Sequence, residues 1–174
     1  MGCRIQILGA NAFGICVQNY SIKIVNSSIT SKSGLGNYDI TSISYGNVTA
    51  VNCSFQTILL NKNGGGVLTI KNFLSIQVLL EDGIDPLSLV DVEVINNNEI
   101  IYATSGYSGM NPKTDNNGMV KNIMVTVQLY YYSNNPIEFT TDIRVKKVIE
   151  DSIWEEVREE ININNSHLEV FVVS

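Results

Sequence analysis

Short runs of alternating apolar and polar residues fill the first part of the chain, and Gly, Asn and Ser separate them. Three of these runs share one pattern: residues 22–29 (IKIVNSSI), residues 48–55 (VTAVNCSF) and, in part, residues 68–72 (LTIKN). A strand-length unit that recurs every 20 to 26 residues is typical of stacked β-coils. The pattern predicts strands at 4–8, 14–18, 21–29, 38–44, 47–60 and 67–72.

Aligning the repeats places equivalent residues in three columns. Two columns are aliphatic and the third is asparagine: Ile22, Val48 and Leu68; Ile24, Ala50 and Ile70; Asn26, Asn52 and Asn72. Strand side chains alternate between faces and Lys23 must face solvent, so all three columns are predicted to point inward. The asparagines would form an internal amide ladder that satisfies their buried polar groups. We therefore interpret residues 1–72 as a right-handed parallel β-helix fragment.

Residues 73–174 have longer strand patterns and no crossover helices. The pattern predicts strands at 73–80, 91–95, 99–104, 119–132, 138–148 and 167–173, with a tight turn at 115–118 (DNNG). Ser152 and Glu155 fit a helix capping box, yet residues 160–173 look like a closing hairpin, so we expect strands with at most one helical turn at 152–158. The prediction for 73–174 is a β-sandwich, and the whole chain is predicted to be all-β.

Charge changes along the chain at the same place as the pattern. Residues 1–70 have a formal charge of +3 and residues 71–174 one of −9, which sum to −6. This step supports a domain boundary near residue 72. A weakly basic first half followed by an acidic second half disfavours nucleic acid as a partner. No segment has the length of a membrane-spanning helix, so no membrane insertion is expected. Cys3, Cys16 and Cys53 lack metal-ligand spacing and are interpreted as small buried hydrophobes, with one disulfide between an undetermined pair as the alternative in an oxidising compartment.

The junction between the two halves resembles a known arrangement. Residues 65–78 (GGVLTIKNFLSIQV) resemble the transition, in archaeal and bacterial cell-surface proteins, from parallel β-helix repeats to an immunoglobulin-like module. Residues 82–94 and the turn at 114–120 (TDNNGMV) are similar to motifs of carboxypeptidase-regulatory-like and collagen-adhesin B-type domains, although Leu-Ser-Leu replaces a usual small residue. The resemblance covers roughly residues 20–145. It implies an immunoglobulin-like sandwich at 73–174 and a stalk, spacer or adhesive role outside the cell.

The acidic residues offer little catalytic chemistry. Asp39 is the sole acid in the repeat half, which excludes a carboxylate pair there. Asp82, Asp85, Asp91 and Asp115 are weak calcium candidates, because turn residues are Asp-rich for conformational reasons. The resemblance also raises an isopeptide bond from Lys71 beside Glu93 or Glu138, but solvated surface charge is the favoured interpretation. We predict no cofactor and no catalytic residue, and His167 is expected at the surface.

Tyrosines and asparagines supply the other candidate sites. Tyr102, Tyr107, Tyr130 and Tyr132 could form an aromatic platform for sugars or proteins, with core packing as the alternative. Five glycosylation sequons begin at Asn19, Asn26, Asn47, Asn52 and Asn164. The inward columns would leave Asn19, Asn47 and Asn164 as the accessible ones.

The sequence favours a non-enzymatic structural or adhesive segment of an extracellular surface protein. The alternatives are a carbohydrate-binding module and a non-catalytic part of a polysaccharide-degrading enzyme. The N-terminus runs directly into a strand instead of a signal peptide, so we expect a piece of a longer exported protein. Its first coil would be uncapped, and residues 4–8 could then pair with another chain. A protein or a carbohydrate at the cell surface is the expected partner.

Overall fold

The chain is all-β in the computed structural model, which describes residues 4–7, 13–31, 37–60, 65–131 and 135–173. Within these ranges the strands are β1 (Arg4–Ile7), β2 (Phe13–Gln18), β3 (Ser21–Val25), β4 (Ser28–Ser31), β5 (Tyr38–Ile43), β6 (Asn47–Val51), β7 (Ile58–Leu60), β8 (Val67–Leu79), β9 (Asp91–Asn96), β10 (Glu99–Ala103), β11 (Met119–Tyr131), β12 (Ile137–Glu138), β13 (Thr141–Ile149), β14 (Ser152–Ile161) and β15 (His167–Val172). A single 3-10 turn at Ser105–Tyr107 follows β10. No helix in the described ranges is long and apolar enough to cross a membrane.

The strands form four open sheets. Their orders are β1-β4, β2-β5-β7, β10-β9-β13-β14 and β12-β11-β8-β6-β3, with β15 also paired to β8. The chain divides into two compact units, one of residues 1–71 and 126–138 and the other of residues 72–125 and 139–174. The first junction lies one residue before the boundary expected from sequence. The return of 126–138 to the first unit was not expected.

Parallel pairing organises the first unit, and its register matches the aliphatic columns. Ile22 pairs with Val48 and Val48 with Leu68, while Ile24 pairs with Ala50 and Ala50 with Ile70. The core of this unit consists of buried aliphatic side chains, namely Val17, Ile29, Ile40, Val48, Ala50, Leu60 and Leu68. Burial of a column on successive strands gives a continuous apolar interior, which stabilises the stacking of the strands. The alignment of the aliphatic repeats is confirmed.

Two of the predicted strands are shorter than expected because asparagines bend the chain. Residues 21–29 divide into β3 and β4, and residues 47–60 into β6 and β7. Asn26 and Asn52 have φ values of 50° and 49°, in the left-handed region that a strand does not use. Asparagine tolerates this conformation better than most residues. Each asparagine therefore ends its strand and turns the chain into the next segment.

The asparagine ladder differs from the prediction in its position. Asn52 Nδ2 donates to Asn26 Oδ1 at 2.8 Å, but both residues are exposed, so the prediction of an internal ladder is wrong for them. Their left-handed bends direct them away from the apolar interior. Asn72 is buried inside β8 and donates to the Ile163 carbonyl at 3.0 Å. The Asn26 and Asn52 sequons are consequently exposed as well.

The second unit has two sheets whose strands alternate between buried and exposed positions. Leu74, Ile76 and Val78 are fully buried in β8, as are Val92 in β9 and Val145 in β13. Such alternation gives each sheet one apolar face, which is consistent with a sandwich-like arrangement. Residues 152–161 form the continuous strand β14, so the strand interpretation is confirmed and the single helical turn is wrong. The closing hairpin is also wrong, because β14 pairs with β13 and β15 pairs in parallel with β8. The expected turn at 115–118 is present, with Gly118 at φ 68°.

The cysteines only partly follow the expectation of burial. Cys53 is half-buried against the core of the first unit, whereas Cys16 is exposed, so the prediction is wrong for Cys16. Cys16 lies between Ile15 and Val17, which face the core, and strand alternation therefore points it outward. Both are free thiols. Cys3 lies outside the described residues.

Candidate functional site

The tyrosines predicted as a platform are distributed over both units and are not gathered in one place. Tyr102 and Tyr107 belong to the second unit and Tyr130 to the first, while Tyr132 lies outside the described residues. Tyr130 packs against the aliphatic core of the first unit, and burial, followed by the charge of Glu138, raises its pKa. Its ring therefore contributes to packing.

Tyr107 is held by charged side chains of the second unit. Its hydroxyl donates to Glu155 Oε1 at 3.0 Å, and Lys146 Nζ lies 4.0 Å from the ring centroid. Burial, then the hydrogen bond from the hydroxyl to Glu155, raises the pKa of Tyr107 well above its usual range. A cation over the ring occupies one aromatic face. Tyr102 donates to the Pro112 carbonyl, and burial raises the pKa of its hydroxyl.

Among the residues that the structure describes, the most exposed aromatic rings are ones that the sequence analysis missed. Tyr20 is 77% exposed and Tyr45 is 71% exposed. They occupy neighbouring corners of the first unit, because Asn19 N donates to the Ser44 carbonyl and Asn47 N donates to the Tyr20 carbonyl, both at 2.9 Å. The signal was present in the repeat alignment: both tyrosines stand just before an aligned strand. An exposed pair of rings with a polar tip suits contact with a sugar or a protein.

Asp39 is the most enclosed carboxylate of the first unit. It is 1% exposed and accepts hydrogen bonds from three backbone amides, those of Ser31 at 2.5 Å, Gln56 at 2.6 Å and Thr57 at 3.1 Å. Burial raises its pKa, but the bonds from these amides outweigh burial and lower the pKa below its ordinary value. Asp39 therefore joins β5 to the end of β4 and to the segment before β7. This is a structural clamp.

Asp91 organises the segment after β10 in the second unit. Its carboxylate accepts from Thr104 Oγ1 at 2.7 Å, from the Gly106 amide at 2.8 Å and from Lys113 Nζ at 2.8 Å. Burial alone would raise the pKa of Asp91, but the bonds from Lys113, Thr104 and Gly106 lower it below its ordinary value. Every oxygen of Asp91 is thereby engaged by its own unit.

Two of the calcium candidates, Asp82 and Asp115, are likewise engaged by their own turns. Asp82 Oδ1 accepts from the amides of Ile84 at 2.8 Å and Asp85 at 3.0 Å. Asp115 Oδ1 accepts from the amides of Asn117 and Met119, both at 2.9 Å. These backbone bonds lower the pKa of both carboxyl groups. Within the described ranges, no group of three or more His, Cys, Asp or Glu side chains is placed to hold a metal ion.

The acids suggested for an isopeptide bond have other partners. Glu93 is 6% exposed and lies 3.3 Å from Arg144 Nη1, so its interpretation as solvated surface charge is wrong. Strand β9 lies between β10 and β13, where Ala103 and Arg144 are the cross-strand neighbours of Glu93, which explains its burial. Glu138 is exposed and accepts from Gln128 Nε2 at 2.8 Å.

A second charged cluster joins β14 to β15. Arg158 lies 4.1 Å from the ring centroid of the fully buried Phe171 and pairs with Glu169 and with Glu156, the latter at 2.9 Å. His167 is at the surface, as expected, and its Nε2 lies 2.6 Å from Glu169 Oε2. Since β14 and β15 belong to different sheets of the second unit, this cluster ties the two sheets together.

Comparison with known proteins does not assign a family. No family model, no curated protein and no solved structure matches the chain.

Proposed function

We propose that this chain is a non-enzymatic structural and adhesive segment of an extracellular surface protein. In this proposal a right-handed parallel β-helix fragment at 1–72 leads into an immunoglobulin-like β-sandwich at 73–174. The extracellular location rests on the resemblance at the junction, residues 65–78. The partner would be a protein or a carbohydrate at the cell surface.

The observation that supports the structural role best is the in-register stacking of the first unit. Strands β3, β6 and β8 align their aliphatic columns residue by residue, and β2, β5 and β7 form a second parallel sheet beside them. Parallel strands whose side chains superpose on each turn are the repeating unit of solenoid proteins. Because each turn is bonded to its neighbours along several strands, such a stack resists extension.

The state of the carboxylates also supports a structural role. Asp39, Asp82, Asp91 and Asp115 each accept bonds from backbone or side-chain donors of their own unit. A carboxylate with a lowered pKa that is held by such donors is a poor general acid at neutral pH.

Single-molecule force spectroscopy tests the structural proposal. A chain tethered at both termini is expected to unfold in discrete steps that sum to its full contour length. The change Ala50→Pro, within β6, removes a ladder hydrogen bond and should eliminate the unfolding step of the first unit. Extension of the unmodified chain without any step that resists force would contradict the proposed structural role.

Carbohydrate binding is the second candidate function, and the exposure of Tyr20 and Tyr45 favours it over the other alternative. If these corners hold a sugar, replacing both tyrosines with alanine should abolish binding on a glycan array, because stacking supplies most of the contact area. Tyr131→Ala is the matched control, since that ring is 52% exposed on a different strand. Binding that survives the double change but is lost in the control would exclude this corner.

A further inference from the structure

Among the residues that the structure describes, the sheet that contains β3 ends at β3, and β3 is unpaired on its outer side. Among the described residues, β3 pairs with β6 alone, β2 with β5 alone and β1 with β4 alone. We call these three strands the open edge. In the sheet that contains β3, β11 lies beside β8 on the side away from β3. The parallel sheet can therefore be extended at β3, but its other side is already covered.

Backbone hydrogen bonds identify the groups that β3 presents. Asn47 N donates to the Tyr20 carbonyl and Asn26 N to the Val51 carbonyl, both at 2.9 Å. The backbone groups of the even-numbered residues in this strand thus point towards β6. Since successive residues of a strand point their backbone groups in opposite directions, Ser21, Lys23 and Val25 direct theirs to the open edge. Such a row of donors and acceptors is a template for an added strand.

Side chains along β3 specify what kind of strand fits. Ile22 and Ile24 are half-buried and have Val48 and Ala50 as neighbours on one side only. Lys23 is exposed on the outer face. A parallel strand would bury the isoleucines by placing aliphatic residues beside them, and an acidic residue beside Lys23 would form a favourable cross-strand pair.

The asparagine ladder adds a further requirement. Asn26 Oδ1 already accepts from Asn52 Nδ2 at 2.8 Å, so the Asn26 amide continues the same ladder by donating from Nδ2. An asparagine at the matching position of an incoming strand supplies the acceptor.

We propose that the open edge binds, in parallel, an extended protein strand of the pattern aliphatic, acidic, aliphatic, any residue, asparagine. This proposal deepens the proposed structural function and rests on it, because it treats the first unit as a stack that accepts one more turn. The occupant is a strand of the same repeat with an acid opposite Lys23.

A second copy of this chain fits the edge less well. It cannot offer the far side of its own sheet, because β11 lies there. Antiparallel pairing of two β3 strands about Lys23 would bring two lysines opposite each other, and like charges directly opposite are destabilising.

A synthetic peptide of residues 21–28 with the change Lys23→Glu is the probe. Added to the full chain labelled with nitrogen-15, it should shift the amide signals of Ser21, Lys23 and Val25 in a saturable way. The peptide with lysine retained should bind about fivefold more weakly, because it loses one cross-strand pair. Shifts confined to other strands, or no saturable shifts, would overturn the proposal.

Two variants of the chain make the test specific. Lys23→Pro removes one edge donor but keeps the bonds to β6, so it should fold and lose the peptide. Lys23→Gln keeps the donor and should bind the acidic peptide about fivefold more weakly. A folded Lys23→Pro variant that binds the peptide with unchanged affinity would refute the proposal that the peptide binds at the open edge.

Two further outcomes distinguish an error in the proposed partner from an error in the proposed structural function. If the chain self-associates in sedimentation velocity and Lys23→Pro abolishes the association, the partner at the open edge is a second copy of the chain and not the proposed strand. If the peptide fails to bind but the stepwise force unfolding is observed, the edge proposal fails and the structural function stands.

Discussion

Replacing Asp39 with asparagine is expected to lower the free energy of unfolding by about 1–3 kcal/mol. The carboxylate accepts three backbone N–H groups with its two oxygens: Oδ1 accepts from Ser31, and Oδ2 from Gln56 and Thr57. Asparagine has one acceptor oxygen. In either orientation its Nδ2 faces at least one of these N–H donors, which then loses its hydrogen-bond acceptor.

The clamp also makes stability depend on pH. The pKa of Asp39 is lower in the folded chain than in a free carboxyl group, which titrates near pH 3.9. A lowered folded pKa means that its stabilisation is fully present above the unfolded pKa and is lost as pH falls through the folded value. The difference in stability between the unmodified chain and Asp39→Asn should therefore be largest near neutral pH and shrink below about pH 4.

Urea unfolding followed by circular dichroism at pH 7 and at pH 3 measures both effects. Hydrogen exchange at the amides of Gln56 and Thr57 adds a local measurement, and both amides should exchange faster in the variant. Asp151→Asn is the control, because Asp151 lies exposed in a turn at φ 64°, where asparagine is well tolerated. Equal destabilisation of Asp39→Asn at both pH values would show that the changed hydrogen-bonding geometry, and not the lost charge of the carboxylate, explains the effect.

Local patterns predicted the strands of this chain better than they predicted its long-range contacts. The spacing of Ile22, Val48 and Leu68 was sufficient to align three strands, because a column of aliphatic residues has one register that buries it. The bends at Asn26 and Asn52 were missed because the sequence around an asparagine in an apolar run does not distinguish a residue that ends a strand from one that continues it.

The contacts that the sequence did not reveal join distant segments. Strand β15 pairs in parallel with β8, and residues 126–138 join the first unit. Neither has a local signal, since the apolar alternation of β15 would suit several neighbours. The clamp at Asp39 had a partial signal, because a lone acid in an otherwise acid-free half invites a structural explanation. The three backbone amides that bond to Asp39 come from separate segments, and the spacing of residues in the sequence does not show that these segments meet.

Replacing Gly46 with alanine is expected to destabilise the first unit by about 1–3 kcal/mol, the usual cost of forcing an extra methyl group into a packed site. A Cβ at Gly46 would lie 2.4 Å from the Val17 carbonyl oxygen, and one at Gly66 would lie 2.3 Å from the Ser42 carbonyl oxygen. Both obstacles are backbone atoms that cannot rotate away. The clash must therefore displace β2 or β5.

Substitutions at the two glycines test the same close backbone contact at two places in the first unit. Asn47 pairs with Val67 and Val17 with Ser42, so Gly46 and Gly66 occupy equivalent positions before two paired strands and should show similar losses in urea unfolding. Asn47→Ala is the matched control, because that exposed side chain makes only a long contact of 3.4 Å to Ser21 Oγ and should leave the midpoint almost unchanged. If Gly46→Ala were neutral while Gly66→Ala destabilised, the two positions would not be equivalent. The stack would then lack the regular turn on which the proposed structural role depends.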